Sequence, residues 1–251
     1  MATPNKTVSM HPILFILGII LFVFFGSEFF RTFLLLQKSR AIVKDSISFQ
    51  RMNPKAVIKI LFLGDSTAVG TGAADPRDSV AGRFGRDFLD AHIVNLGKNG
   101  NKIKDLAREF NPEDYQGFNL IVIQAGGNDI LRFTPLKYLE KDLRTILDKT
   151  KRVNRQVVIL HSGNIGLAPF FPRPFGWVWS YRTLLVRELY TRIAKESGAV
   201  YVDLYAERKD DPFLKDVKRF YAPDLLHASG EGYGIWYNKI KETMERAGIN
   251  L

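Results

Sequence analysis

The 251-residue chain contains no cysteine, which excludes a disulfide framework, a thiolate zinc site and a cysteine nucleophile. Histidine is scarce, with four residues at positions 11, 92, 161 and 227, so chemistry that needs an imidazole has few places to sit. Acid is in deficit, with 26 Asp and Glu against 36 Lys and Arg and a formal charge of +10. A chain so basic is drawn to anionic surfaces such as lipid headgroups, nucleic acid or acidic proteins. Zinc-finger, RRM-like and helix-turn-helix patterns are missing, which favours a membrane surface over nucleic acid as the partner. The glycine-rich stretch Gly64–Gly72 fits neither G-x-G-x-x-G nor G-x-x-x-x-G-K-[ST], which argues against a nucleotide loop. No internal repeat or low-complexity tract is evident.

What the chain does have, first, is a long apolar run. Residues 13–25 (ILFILGIILFVFF) are uninterrupted hydrocarbon and aromatic. Extending through Phe29, Phe30 and Phe33 to Leu36 gives the roughly twenty residues a spanning helix needs, at the cost of including Glu28 and Arg31. These two are three apart and share a helix face, so they are expected to pair, with Arg31 snorkelling toward the interface. The amino-terminal region carries only Lys6 and no small-x-small site follows the run, which disfavours a cleaved signal peptide. Residues 1–36 are therefore expected to be an uncleaved single-pass membrane anchor and 37–55 a linker near the membrane face. Arg31, Lys38, Arg40, Lys44 and Arg51 follow the run while Lys6 alone precedes it, so the positive-inside rule leans the rest of the chain toward the cytoplasm.

Residues 56–251 alternate in pattern. Apolar, β-branched runs at 58–63, 93–96, 118–124, 156–160 and 200–204 read as buried strands, and helical spacing appears at 79–89, 135–153, 177–197 and 230–247. Such alternation predicts an α/β domain, a parallel five-stranded sheet with helices on both faces. Ligands bind such sheets at the carboxyl ends of the strands. Four polar loops are expected at that edge or just before the last helix: Gly64-Asp65-Ser66, Asn95–Gly100, Gly126–Asp129 and Asp224–His227.

Acyl transfer needs a nucleophile, a base, a carboxylate to orient the base, and donors for the oxyanion. Asp224 and His227 lie three apart, so in one turn the carboxylate reaches the near ring nitrogen while the far nitrogen faces outward. The alternative is a helix start at Asp224 with His227 a surface residue. His161, at the end of the fourth strand, ranks second as base because no carboxylate is close in sequence. Asn128 follows two glycines and offers an amide donor, or else caps a helix. Gly100 offers a backbone N–H, or is a left-handed turn.

These blocks, GDS at 64–66, NLGKNG at 95–100, GGND at 126–129 and DLLH at 224–227, resemble in order and spacing the four blocks of the SGNH, or GDSL-type, hydrolase superfamily. The resemblance covers residue 56 to about 247. It implies a flavodoxin-like three-layer αβα sandwich and ester hydrolysis through an acyl-enzyme, without metal or cofactor. Carried over by position, it makes Ser66 the nucleophile, His227 the base and Asp224 its orienter, with the Ser66 N–H, the Gly100 N–H and the Asn128 amide as the oxyanion hole. Gly97 competes with Gly100, and Ala228 stands where many members have proline.

For substrate, residues 165–181 (IGLAPFFPRPFGWVWSY) are rich in aromatics. They either complete the core or wall an acyl chain, and Phe170, Phe171 and Trp177 are the residues expected to touch it. Lys98, Lys102, Lys104 and Arg108 either attract a phosphate headgroup or form a solvated face. Anchor, aromatics and charge together favour a lipid-like ester such as a lysophospholipid. The competing readings are acyl transfer or deacetylation on a carbohydrate with the same triad, and a catalytically silent membrane-tethered interaction module.

Overall fold

In a computed structural model of the chain, residues 10–154 and 156–251 are described; residues 1–9 of the expected anchor, including Lys6, lie outside them. A single helix, α1 (Met10–Asp45), precedes the sheet. The rest alternates: β1 (Lys59–Gly64), α2 (Ser66–Val69), α3 (Val80–Asp87), β2 (His92–Asn95), α4 (Ile103–Glu109), β3 (Leu120–Gln124), α5 (Gly127–Leu131), α6 (Leu136–Lys151), β4 (Val157–Leu160), α7 (Gly176–Ser197), β5 (Val200–Tyr201), α8 (Pro212–Lys215), α9 (Val217–Phe220) and α10 (Gly230–Arg246). The five strands are all parallel, in the order β2-β1-β3-β4-β5. The expected α/β architecture is observed.

Successive strand residues face opposite sides, and each side is filled. Leu61, Leu63, Ile121, Ile123, Val157 and Ile159 pack under α4, α6 and α7, against residues such as Leu106, Leu143, Ile146 and Ile193. Ile60, Phe62, Leu120, Val122 and Val158 pack under α3 and α10, against Phe84, Tyr233, Tyr237 and Ile240. The register Phe62↔Val122 and Leu63↔Ile123 brings the ends of β1 and β3 level, so the loops after Gly64 and Gln124 leave the sheet side by side.

Three boundaries differ from expectation for identifiable reasons. β5 ends at Tyr201 and not at Leu204, because the Asp203 carboxylate accepts the Tyr205 N–H at 3.1 Å and turns the backbone out of the ladder. The short helix α4 was not anticipated; its start is fixed by the Lys102 N–H donating to the Asp105 carboxylate at 3.0 Å. Most consequentially, α1 runs without a break through Gln37–Asp45, the first half of the expected linker, which contains no glycine or proline to stop it. The second half is fixed on the domain: Arg51 exchanges two 2.9 Å backbone bonds with Ile93 at the outer edge of β2, and Phe49 packs against the core.

α1 is long and apolar enough to cross a membrane, with mean hydropathy 2.5 over its best window. Residues 12–24 are exposed, whereas from Glu28 onward one face is covered by the domain, with Glu28, Leu35 and Ser39 buried. Their spacings of seven and four place them on one side of a helix.

Candidate active site

β1 delivers the first group. Gly64 ends the strand where a Cβ would lie 2.0 Å from the Gln124 carbonyl oxygen, so only glycine lets β1 and β3 stay paired to their ends. Asp65 then caps α2, its buried carboxylate accepting the Thr67 N–H at 2.9 Å and the Thr67 hydroxyl at 2.8 Å. Burial pushes the pKa of Asp65 up against the pull of those two bonds. Ser66 is thereby the first residue of α2, with its side chain on the open end of the sheet.

The base and its orienter come from the loop before α10. Tyr221 and Ala228 pair across it, the Ala222 N–H donates to the His227 carbonyl at 2.9 Å, and Leu225 is held at φ +58. A left-handed leucine costs roughly 1 kcal/mol, which the loop's closed hydrogen bonding sustains. Inside it, Asp224 is fully buried. One carboxylate oxygen accepts the amides of Leu226 at 3.1 Å and His227 at 3.0 Å, and the other meets His227 Nδ1 at 2.6 Å. Burial alone would raise its pKa, but the hydrogen bond and charge of His227 and the two amides outweigh it and hold Asp224 below the usual carboxylate range. His227 Nε2 lies 3.2 Å from Ser66 Oγ. Hydroxyl, imidazole and carboxylate thus stand in a continuous hydrogen-bonded line, the arrangement that lets a neutral imidazole take a serine proton and a carboxylate steady the imidazolium.

His161 is excluded as the base by its surroundings. Its Nδ1–H donates to the Ser162 carbonyl, its Nε2 accepts the Tyr201 hydroxyl at 2.9 Å, and burial pushes its pKa down to about 4. Both nitrogens are occupied and the ring is neutral.

The residues expected as oxyanion donors reach one cleft from three loops. Gly100 (φ +81) and Asn128 line it together with Ser66 and His227, and Gly97 does not. The Gly97 N–H is already spent on Asn95 Oδ1 at 2.9 Å, so of the two glycines Gly100 is the one with a donor to offer. Asn128, near the start of α5, donates from Nδ2 to the Asn101 carbonyl at 3.1 Å. The turn into α5 depends on Gly126, whose φ of +114 and whose approach to Tyr190, 2.5 Å from its hydroxyl to a would-be Cβ, leave no room for a side chain.

The cleft is about 830 Å³. Of the three expected acyl-contacting aromatics, Phe170 lines it. Phe171 lies in the core, stacked on Trp179 at 4.2 Å, and Trp177 stands outside the cleft at 67% exposure. None of the four basic residues near the second block lines it. Lys98 and Arg108 pair with Glu109, and Lys102 donates to Thr134. Of the two cations that do line the cleft, Arg132 and Lys239, Arg132 lies beside Gly100 and makes no side-chain hydrogen bond or ion pair among the described residues. Sequence reasoning also missed Leu36, Ser39 and Val43 of α1, which line the same cleft.

The sequence pattern of the GDSL-like lipase/acylhydrolase family matches residues 62–235, and the chain belongs to that family. No curated protein sequence matches it. Among solved structures it is similar to esterase EstA from Pseudoalteromonas sp. (17% identity, TM-score 0.56, covering 76% of this chain and 99% of that one). It is similar too to the lipase/acylhydrolase from Enterococcus faecalis (20%, 0.55, 75% and 96%) and to an acetylxylan esterase, Axe2, from Geobacillus stearothermophilus (20%, 0.54, 77% and 96%). At these identities the likeness is one of fold.

Proposed function

We propose that the protein is a membrane-anchored serine hydrolase that cleaves a lipid-like carboxylic ester through an acyl-enzyme on Ser66. The observation that carries this reading is the line from Ser66 Oγ through His227 to buried Asp224, at 3.2 and 2.6 Å. Ser66 Oγ attacks the ester carbonyl as His227 Nε2 takes its proton. The carbonyl oxygen becomes an oxyanion held by the Ser66 and Gly100 N–H groups and the Asn128 amide. His227 then protonates the departing alcohol, and water repeats the sequence on the acyl-serine.

Two features favour a lipid ester. The cleft is far larger than an acetyl group needs, and Leu131, Ile165 and Phe170 give it apolar lining. Beside the Gly100 loop, Arg132, which has no side-chain partner among the described residues, suits a phosphate on the alcohol part of a lysophospholipid. The apolar first half of α1 supplies the anchor, and the excess of Lys and Arg on its domain side favours a cytoplasmic domain.

The full chain reconstituted in vesicles containing lysophosphatidylcholine is expected to release free fatty acid, and Ser66→Ala to release none. Release that persists in Ser66→Ala would contradict the assignment.

A further inference from the structure

The amino-terminal helix does more than precede the domain. Its second half is pinned at both ends to loops that build the cleft. At one end Glu28, 5% exposed, holds Arg31 at 2.8 Å and receives the Arg173 N–H at 3.0 Å. Arg31 in turn donates to the carbonyls of Pro169 and Phe171, each at 2.7 Å. The pairing of Glu28 with Arg31 is as expected, and the guanidinium also reaches the backbone of Pro169 and Phe171. Pro169 and Phe171 flank Phe170, which lines the cleft. Nearby, Phe25 stacks on Phe175 with ring centres 6.0 Å apart.

At the other end Asn99 donates from Nδ2 to Ser46 Oγ at 2.8 Å and to the Val43 carbonyl at 3.2 Å, while its Oδ1 accepts the Thr71 hydroxyl at 2.6 Å. Asn99 immediately precedes Gly100. Between these two ties Leu36, Ser39 and Val43 succeed one another at helical spacing and face the cleft that holds Ser66 and His227.

We propose that the second half of α1 is a wall of the acyl-binding site. An acyl chain still seated in a lipid layer would reach Ser66 along this helix, with Leu36 and Val43 as its contacts. This inference rests on the ester hydrolase reading above and adds the surface that selects the acyl chain. The geometry suits such a path: residues 12–24 of the helix are exposed, and the stretch of the same continuous helix that lines the cleft, Leu36 to Val43, spans about 10 Å along its axis at about 1.5 Å per residue. A chain moving from apolar surroundings along an apolar stripe sheds no favourable burial on the way.

The test compares kcat/KM for p-nitrophenyl decanoate with that for p-nitrophenyl acetate, using the full chain in detergent micelles. Leu36→Trp, at a 38%-exposed position that tolerates a larger side chain, is expected to lower the decanoate-to-acetate ratio at least tenfold. Leu34→Trp, at an exposed position of the same helix that does not line the cleft, is expected to leave the ratio at the wild-type value. A ratio unchanged in Leu36→Trp, in protein whose Ser66 still reacts with a fluorophosphonate, overturns the inference. If Leu36→Trp does not fold, Leu36→Ala is read instead: a threefold or larger change in the ratio supports the wall, and no change overturns it. Failure of wild-type Ser66 to react would count against the hydrolase reading and not against the helix as a wall, so the two failures are distinct.

Discussion

Asn128→Ala isolates the contribution of the proposed side-chain donor to the oxyanion. The substitution removes the Nδ2 donor but leaves the backbone in place: the Asn128 carbonyl still accepts the Arg132 N–H at 3.1 Å, and alanine is the best helix former for a position inside α5. In the resting protein the side-chain bond lost among the described residues is the 3.1 Å contact with the Asn101 carbonyl, worth about 1 kcal/mol of stability. In the proposed mechanism the same amide faces the oxyanion inside the cleft, where one such donor is worth about 3 to 4 kcal/mol. The two effects separate cleanly. Thermal unfolding is expected to shift by a few degrees, whereas kcat for a short p-nitrophenyl ester falls roughly 100- to 1,000-fold with little change in KM. Steady-state kinetics on folded protein decide the matter. A kcat within threefold of wild type would remove Asn128 from the hole and leave it as a support for the Asn101 loop.

Two further perturbations follow from the same geometry. Asp224→Asn keeps its one oxygen for the amides of Leu226 and His227 and so presents an N–H₂ donor to His227 Nδ1, and kcat is expected to fall by roughly three to four orders of magnitude; turnover within tenfold of wild type would show that His227 needs no carboxylate. His161 links stability to pH: its folded pKa of about 4 lies below the ordinary 6.5, so the folded state resists protonation and stability is complete above about pH 6.5 and lost as pH falls toward 4. The loss amounts to about 3 kcal/mol at pH 4. Urea unfolding at pH 7 and pH 4.5 is expected to show a smaller pH-dependent loss in His161→Gln than in wild type, and equal losses would refute the buried neutral imidazole.

Much of this site was legible because each block declares itself locally. Gly64-Asp65-Ser66 ends an unmistakable apolar strand, and Asp224 and His227 are close enough in sequence for one loop to join them. The choice between Gly97 and Gly100 was not legible, since it turns on the Asn95 side chain bonding the Gly97 amide. The aromatic segment was read only in part: its composition announces burial or contact but not which ring faces where, and Phe170 and Phe171, adjacent in sequence, go to cleft and core.

α1 was the hardest element to read. Its first half is apolar on every side, which obscures where a covered face begins, and the partners of Glu28 and Arg31 lie about 140 residues away in the 169–173 loop. The spacing of Glu28, Leu35 and Ser39 was the available signal. A buried glutamate within an apolar helix implies a partner, and besides Arg31 the structure supplies the Arg173 N–H.

The most direct test of the account treats the full chain and its Ser66→Ala variant with a fluorophosphonate and maps the modified peptide by mass spectrometry. Covalent modification at Ser66 that disappears in Ser66→Ala is the predicted result, because only a serine whose proton is drawn by His227 reacts readily. A folded protein with Ser66 unmodified, or with the label on another residue, would contradict an activated serine at this site.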